Sequence, residues 1–246
     1  MFRAEQAGLC LSAAGAQKDG ELMQYRYNRV DPPQSRALPV AGAGYTWILA
    51  SSFVTLVFAL LELSIPAIAA LAATFCIGSF FRDPERFVPD AENAVVSPAD
   101  GRVVKAEVLE ENPFISGPCL KIGIFMSIFN VHVNRVPCSG KVFSMHYQPG
   151  RFISASRDGA STENEQQAVI LETEEAVRLC FVQVAGLVAR RIICWLEPGD
   201  RVSRGERFGM ICFGSRLDLY LPAQTALNVS EGDRVKAGQS ILGFLQ

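Results

Sequence analysis

Histidine is the scarcest chemistry-bearing residue in this chain: 246 residues hold only His132 and His146. A histidine-based zinc site would need both, plus partners, and the cysteines supply no Cys-x-x-Cys pair to complete one. No metal is therefore expected. The seven cysteines (10, 76, 119, 138, 180, 194, 212) are odd in number and scattered, so they read as small buried hydrophobes with free thiols rather than as a disulfide framework. Free thiols suit a reducing, cytoplasmic compartment. A basic excess is missing as well: 23 Lys and Arg stand against 25 Asp and Glu, a formal net charge of -2. That excludes nucleic-acid binding by bulk positive charge. Disorder is excluded by a 49% hydrophobic content with low net charge.

Charge is missing most completely from residues 37–81, where Glu62 is the single charged residue. One bilayer crossing needs about 20 apolar residues, so this run is too long for one. Glu62 and Pro66 divide it into two pieces, at 45–61 and 64–81. Arg26, Arg29 and Arg36 precede it, and Arg82 and Arg86 follow it. Basic flanks on both sides put both ends on the cytoplasmic face, which a helical hairpin satisfies and a single crossing does not. Spanning and re-entrant hairpins both fit, and Glu62 belongs at the far interface. The run starts too late and is too long for a signal peptide. The expected layout is a polar extension over 1–36, a membrane-associated helical hairpin over 37–81 and a β-rich domain over 82–246. Met23 is an alternative start.

After Arg82, short β-branched runs alternate with Gly, Pro, Asp and Asn clusters, which reads as strands. Gly199-Asp200-Arg201-Val202 is followed by Gly205, and Gly232-Asp233-Arg234-Val235 by Gly238. Two such units imply a mainly β fold, a small barrel or sandwich with approximate two-fold symmetry and turns like those of biotin and lipoyl carrier domains. Carrier domains place a lysine between the units. Here residues 205–231 contain no lysine, and Phe213-Gly214-Ser215-Arg216 lies there instead.

Several motifs occur in one order: Phe80-Phe81-Arg82-Asp83-Pro84-Glu85-Arg86, Ser97-Pro98-Ala99-Asp100-Gly101, Asn130-Val131-His132-Val133-Asn134-Arg135-Val136-Pro137, Pro149-Gly150, Glu163-Asn164-Glu165, Gln183-Val184-Ala185-Gly186 and Phe213-Gly214-Ser215-Arg216. Together they resemble the short-form phosphatidylserine decarboxylases, over about residues 40–246. The resemblance implies a proenzyme that cuts itself between Gly214 and Ser215. Ser215 Oγ would attack the Gly214 carbonyl, and elimination and hydrolysis would leave a pyruvoyl group, derived from Ser215, at the head of a small chain. Residues 1–214 would form the large chain. The pyruvoyl carbonyl would condense with the substrate amine and accept the electrons left by carbon dioxide, with no added coenzyme.

The resemblance also implies roles for other residues. His132 would act as general base toward Ser215 or as proton donor after decarboxylation. Asp100 would orient His132, as a carboxylate does in a Ser-His-Asp arrangement. Arg135, Arg151, Asn164 and Glu165 are candidates for binding the substrate head group. Longer members carry a second histidine where this chain has Arg135, which leaves open whether one histidine serves both maturation and turnover; His146 is the weaker candidate. The implied partners are phosphatidylserine, the lipid of the cytoplasmic membrane face, and the two chains of the one precursor; homo-oligomerisation is left open. Three alternatives stay open: a membrane-anchored, carrier-like adaptor without catalysis, a decarboxylase of the archaeal ether-lipid analogue, and a pyruvoyl decarboxylase of a soluble amino acid, against which the hydrophobic hairpin argues.

Overall fold

The structure is a computed structural model, and it describes residues 26–29, 39–154, 160–187, 191–212 and 214–246. The alternative start at Met23, most of the polar extension and Phe213 lie outside the described residues. Two helices come first, α1 (Tyr45–Leu60) and α2 (Ser64–Phe80). They pack as an antiparallel pair and meet at Thr55 and Thr74, whose hydroxyl oxygens lie 3.3 Å apart. Glu62 sits in the connecting turn at φ 58°. Trp47, Leu49, Phe53, Ile65, Ile68 and Phe75 are all exposed, so the helices present apolar side chains outward. With its preceding 3-10 turn, α1 extends over Gly42–Leu60 and is long and apolar enough to cross a membrane; α2 is shorter.

The rest of the described chain is mostly strand. In chain order these are β1 (Arg26–Arg29), β2 (Phe87–Asp90), β3 (Ala94–Val96), β4 (Gly101–Leu109), β5 (Cys119–Met126), β6 (Val133–Arg135), β7 (Gly140–Gln148), then a one-turn helix α3 (Ala160–Glu163), β8 (Gln166–Glu172), β9 (Arg178–Val184), β10 (Ile192–Cys194), β11 (Arg201–Val202), β12 (Arg207–Ile211), β13 (Ser215–Pro222), β14 (Ala226–Leu227), β15 (Arg234–Val235) and β16 (Ile241–Phe244). Eight of them form one curled antiparallel sheet in the order β11-β7-β8-β9-β13-β5-β4-β15. Two three-stranded sheets, β10-β12-β6 and β14-β16-β3, complete the domain, and β1 pairs with β2. The expected mainly β architecture with an N-terminal apolar hairpin is what the chain adopts.

The paired turns explain this layout. Val202 of β11 pairs with Gly140 at the start of β7, and Val235 of β15 pairs with Gly101 at the start of β4, so the two units close the two opposite edges of the sheet. Their hydrogen bonds match. Asp200 Oδ2 accepts from Glu197 N–H at 2.8 Å, and Asp233 Oδ2 accepts from Ser230 N–H at 2.8 Å. Gly199 N–H donates to Val142 O and Gly232 N–H to Val103 O, each at 2.8 Å. Gly199 and Gly232 have φ of 100° and 95°, a conformation that a side chain resists. Even the irregularities repeat: β7 is bulged between Val142 and Ser144, β4 between Val103 and Lys105. The approximate two-fold runs between the central strands β9 and β13.

β13 shows how the core is divided. Leu217, Leu219 and Leu221 point into the main core with Ile122, Ile124, Phe181 and Phe208, while Tyr220 points to a second face with Cys180 and Val182. Every residue of β13 up to Leu221 is buried, which a strand central to a sheet covered on both sides requires. Among the described residues six cysteines are free, and Cys119, Cys138 and Cys180 are buried among apolar neighbours.

Because the two Asp-turns are equivalent, removing either cap should weaken the domain similarly. Asp200→Ala and Asp233→Ala are each expected to cost about 1 kcal/mol, measured as a shift in the urea midpoint of the detergent-solubilised protein.

Candidate active site

Ser215 opens β13 and is fully buried, facing Met126 across the β5 pairing. Its hydroxyl donates to Met126 Sδ at 3.4 Å, and a thioether is a weak acceptor. Little hydrogen-bond energy therefore holds the hydroxyl in this orientation. The preceding Gly214 has φ 57°, in the left-handed region, while the space where a side chain would project is empty. Glycine is needed there for backbone conformation rather than for room.

Met126 Sδ also accepts from Asn134 Nδ2 at 3.7 Å. Asn134 Oδ1 accepts in turn from Gln183 Nε2 at 2.9 Å. Asn134, Gln183 and Ser215 are all fully buried, so an amide pair stands beside the serine within a dry core. Asn134 and Gln183 fall inside motifs quoted above, yet nothing in the sequence singled them out, because their proximity arises only when β6, β9 and β13 are brought together. Met126 carried no signal in the sequence.

His132 lies two positions before Asn134 and is also fully buried. Its Nδ1 is 3.0 Å from Asn130 O, and a carbonyl only accepts, so Nδ1 carries the proton. Nε2 is then the lone-pair nitrogen, and it is buried without a hydrogen-bond partner among the described residues. The Phe80 ring, at the end of α2, packs on the imidazole at 4.2 Å between centroids. Burial, reinforced by the nearby Arg82 charge and opposed by the Asn130 carbonyl, pulls the His132 pKa from 6.5 down to about 4. At neutral pH the ring is therefore an uncharged base with one free site.

The remaining candidates are placed differently from expectation. Asp100 accepts from Arg86 Nη2 at 2.9 Å and from Ala237 N–H at 2.7 Å. The Asn130 carbonyl rather than Asp100 is bonded to His132, and both Asp100 oxygens are engaged elsewhere. Arg135 is buried and donates to Gly205 O at 2.7 Å and Pro84 O at 3.2 Å, so its cation is used to hold two loops rather than presented to a head group. Asn164, fully buried, donates to Ile153 O and Ala185 O and accepts from Ile153 N–H; it staples a loop. Arg151 is exposed and sits 3.5 Å from Glu163. Desolvation, and then the Glu165 carboxylate beside it, push the Tyr147 phenol above its ordinary pKa. His146 is paired loosely with Ser144 at 3.4 Å on the outer part of β7. Arg82 donates to Ser79 O and Phe129 O, and Asp83 binds Arg207 Nε through both oxygens at 2.9 Å. A cavity of about 560 Å³ lined by residues 110–117 lies at the opposite end of β13 from Ser215.

The family model of phosphatidylserine decarboxylase matches residues 73–243, a stretch that starts inside α2 and takes in His132, Gly214 and Ser215. The chain belongs to the phosphatidylserine decarboxylase family. Curated relatives agree over nearly their whole lengths. The chain is 52% identical over 206 residues to a phosphatidylserine decarboxylase proenzyme of Desulfotalea psychrophila, covering 84% of this chain and 96% of the relative. It is 48% identical over 205 residues to the proenzyme of Syntrophus aciditrophicus (83% and 96%) and 47% identical over 212 residues to that of Geotalea uraniireducens (86% and 99%). For a family whose relatives are named proenzymes, the buried serine after a left-handed glycine is the natural place to look for processing.

The depressed His132 pKa has a thermodynamic signature. The folded protein resists protonating a ring that the unfolded chain protonates at about 6.5, so stability should be intact above that pH and fall as pH drops toward 4. The loss should approach about 3 kcal/mol. His132→Gln removes the titration, and its denaturant midpoint should lose that part of the acid dependence.

Proposed function

We propose that the protein is a self-processing phosphatidylserine decarboxylase that converts phosphatidylserine to phosphatidylethanolamine and carbon dioxide at a membrane surface. The observation that carries this reading is Ser215: a fully buried hydroxyl, weakly held, directly after a left-handed glycine, in a chain of this family.

In maturation, Ser215 Oγ loses its proton and bonds to the Gly214 carbonyl carbon. The C–N bond breaks, the nitrogen takes up a proton, and an ester replaces the amide. Elimination across the ester frees the Gly214 carboxylate and leaves an unsaturated residue 215, whose hydrolysis releases ammonia and gives the pyruvoyl end. His132 Nε2, neutral and unpartnered, is the proton acceptor that best fits the first step. The Asn134 amide, which shares the Met126 sulfur with Ser215, is the candidate donor to the developing oxyanion.

The site suits a pyruvoyl group: it is buried, free of bound charges at Ser215, and already anchored through the backbone of β13. Bound there, the group supplies a carbonyl for the substrate amine and a sink for the electron pair left by carbon dioxide. The protein's own contribution would be to exclude water, hold the strand end fixed and return a proton to the substrate carbon, a role that suits His132 as a buried neutral base. The exposed hairpin supports delivery of the lipid from a bilayer on the cytoplasmic face. Asp100, through its bond to Ala237 N–H, would tie the large chain to the small one after cleavage.

Denaturing mass analysis of the purified protein should give two pieces, residues 1–214 and a 32-residue chain blocked at its N-terminus, which elute together under native conditions. Ser215→Ala should remain one chain and lose all decarboxylation of phosphatidylserine. A single full-length chain in fully active membranes would sink the reading.

A further inference from the structure

The turn at 127–130, between β5 and β6, has an unusual tip. Its corners are polar and bonded to each other: Asn130 Oδ1 accepts from Ser127 N–H at 2.9 Å and from Ser127 Oγ at 2.7 Å, and Asn130 N–H donates to Ser127 O at 3.0 Å. The two residues they present are Ile128, 51% exposed, and Phe129, 80% exposed. Turn tips usually carry Gly, Pro, Asn, Asp or Ser. Here a fixed frame holds two large apolar side chains outward.

The carbonyl of Phe129 is satisfied too. Phe129 O accepts from the Arg82 guanidinium, which also donates to Ser79 O in the last turn of α2. An apolar tip whose carbonyl is already bonded is suited to a place without water. The turn is joined to the hairpin by Arg82 and to the candidate active site by Asn130 O, which holds His132 Nδ1, whose ring in turn packs on Phe80 of α2. The apolar surface of the hairpin therefore continues onto the tip, and the Arg82 cation lies between them, at the level where lipid phosphates would be.

We propose that the 127–130 turn is a second membrane contact, whose Ile128 and Phe129 insert among lipid acyl chains beside the hairpin and fix the site at the bilayer surface. Lipid leaving the bilayer would then pass the turn that holds His132. The proposal rests on the reading of the hairpin as membrane-embedded and of the substrate as a lipid.

Tryptophan quenching in the full chain separates the two. Trp195→Phe leaves Trp47 on α1 as the reporter of the hairpin. Trp47→Phe/Trp195→Phe/Phe129→Trp leaves the tip as the reporter. Both proteins are placed in phosphatidylethanolamine–phosphatidylglycerol vesicles whose acyl chains are brominated near the head group or near the methyl end. Quenching of both is expected, with the tip responding most to the shallow bromines. Quenching of Trp47 without quenching at 129 overturns the tip and leaves the hairpin reading intact; a protein partner would then be the cover of the turn. Quenching of neither overturns the hairpin reading and the tip with it.

A second measurement does not depend on fluorescence. Ile128→Ser/Phe129→Ser should lower turnover of phosphatidylserine in vesicles about tenfold while turnover of soluble glycerophosphoserine stays within about twofold. Equal loss on both substrates would assign the pair to the fold and refute a lipid contact.

Discussion

The position of β13 at the centre of the large sheet is the constraint on which the rest of the structure depends. It pairs with β5 over Ser215–Pro222 and with β9 over five residues, Arg216 to Tyr220. A strand bonded on both sides and covered on both faces cannot move, so the residue that opens it is fixed to within the tolerance of the sheet. The chemistry proposed at Ser215 would need that rigidity, because an attack on the neighbouring carbonyl depends on alignment. It would also need the strand to stay in place afterwards. The C-terminal 32 residues supply β13 and β15 to the large sheet and β16 to a smaller one, so they remain bonded without the peptide link to Gly214.

Holding such a strand in a dry interior brings charge inside with it. Arg216 is almost fully buried, with its Nε on Asp218 and its guanidinium over Gly123, where a side chain would collide with Nη2 at 2.5 Å. Asp218 also accepts from Ser161 Oγ at 2.7 Å and lies 3.4 Å from Lys121 Nζ. This group occupies the second face of the sheet, opposite the serine. A similar economy governs Asp83, which binds Arg207 and stands 4.0 Å from Arg135. Paired and hydrogen-bonded charges are tolerated inside, whereas an isolated one is not. His132 is the contrasting case: it has no carboxylate partner and remains neutral.

Much of this was legible in the sequence, for identifiable reasons. A run with one charge in 45 residues can hardly be anything but apolar helix, and Glu62 marked its turn. The Gly-Asp repeat encodes a local hydrogen-bonding pattern, so its meaning survives without knowledge of the fold. Ser215 was recognisable through its neighbours Phe213, Gly214 and Arg216. The partners of Asp100 and Arg135 were not, because each reaches a residue distant in sequence, Ala237 for one and Gly205 for the other. A charged residue in a motif looks the same whether it binds a ligand or a loop carbonyl. Asn134 and Gln183 were hidden for the same reason, and the apolar tip at Ile128 and Phe129 lacks any periodicity that a sequence reading could detect.

The approximate two-fold has one break. In one half, β8 and β9 are joined by a short turn closed by Thr173 N–H on Val177 O at 2.9 Å. In the other half, the matching strands β5 and β13 meet at Met126 and Ser215 with no such turn, and the chain between them travels through the 88 residues of 127–214. The bond proposed for cleavage thus lies where the other half of the two-fold has a hairpin turn and where the connection goes the long way round. Closing a loop costs more entropy as the loop lengthens, so a connection of this length couples the two strands more weakly than a tight turn would. A bond consumed there as a reagent, as proposed, would leave the shape of the sheet in place.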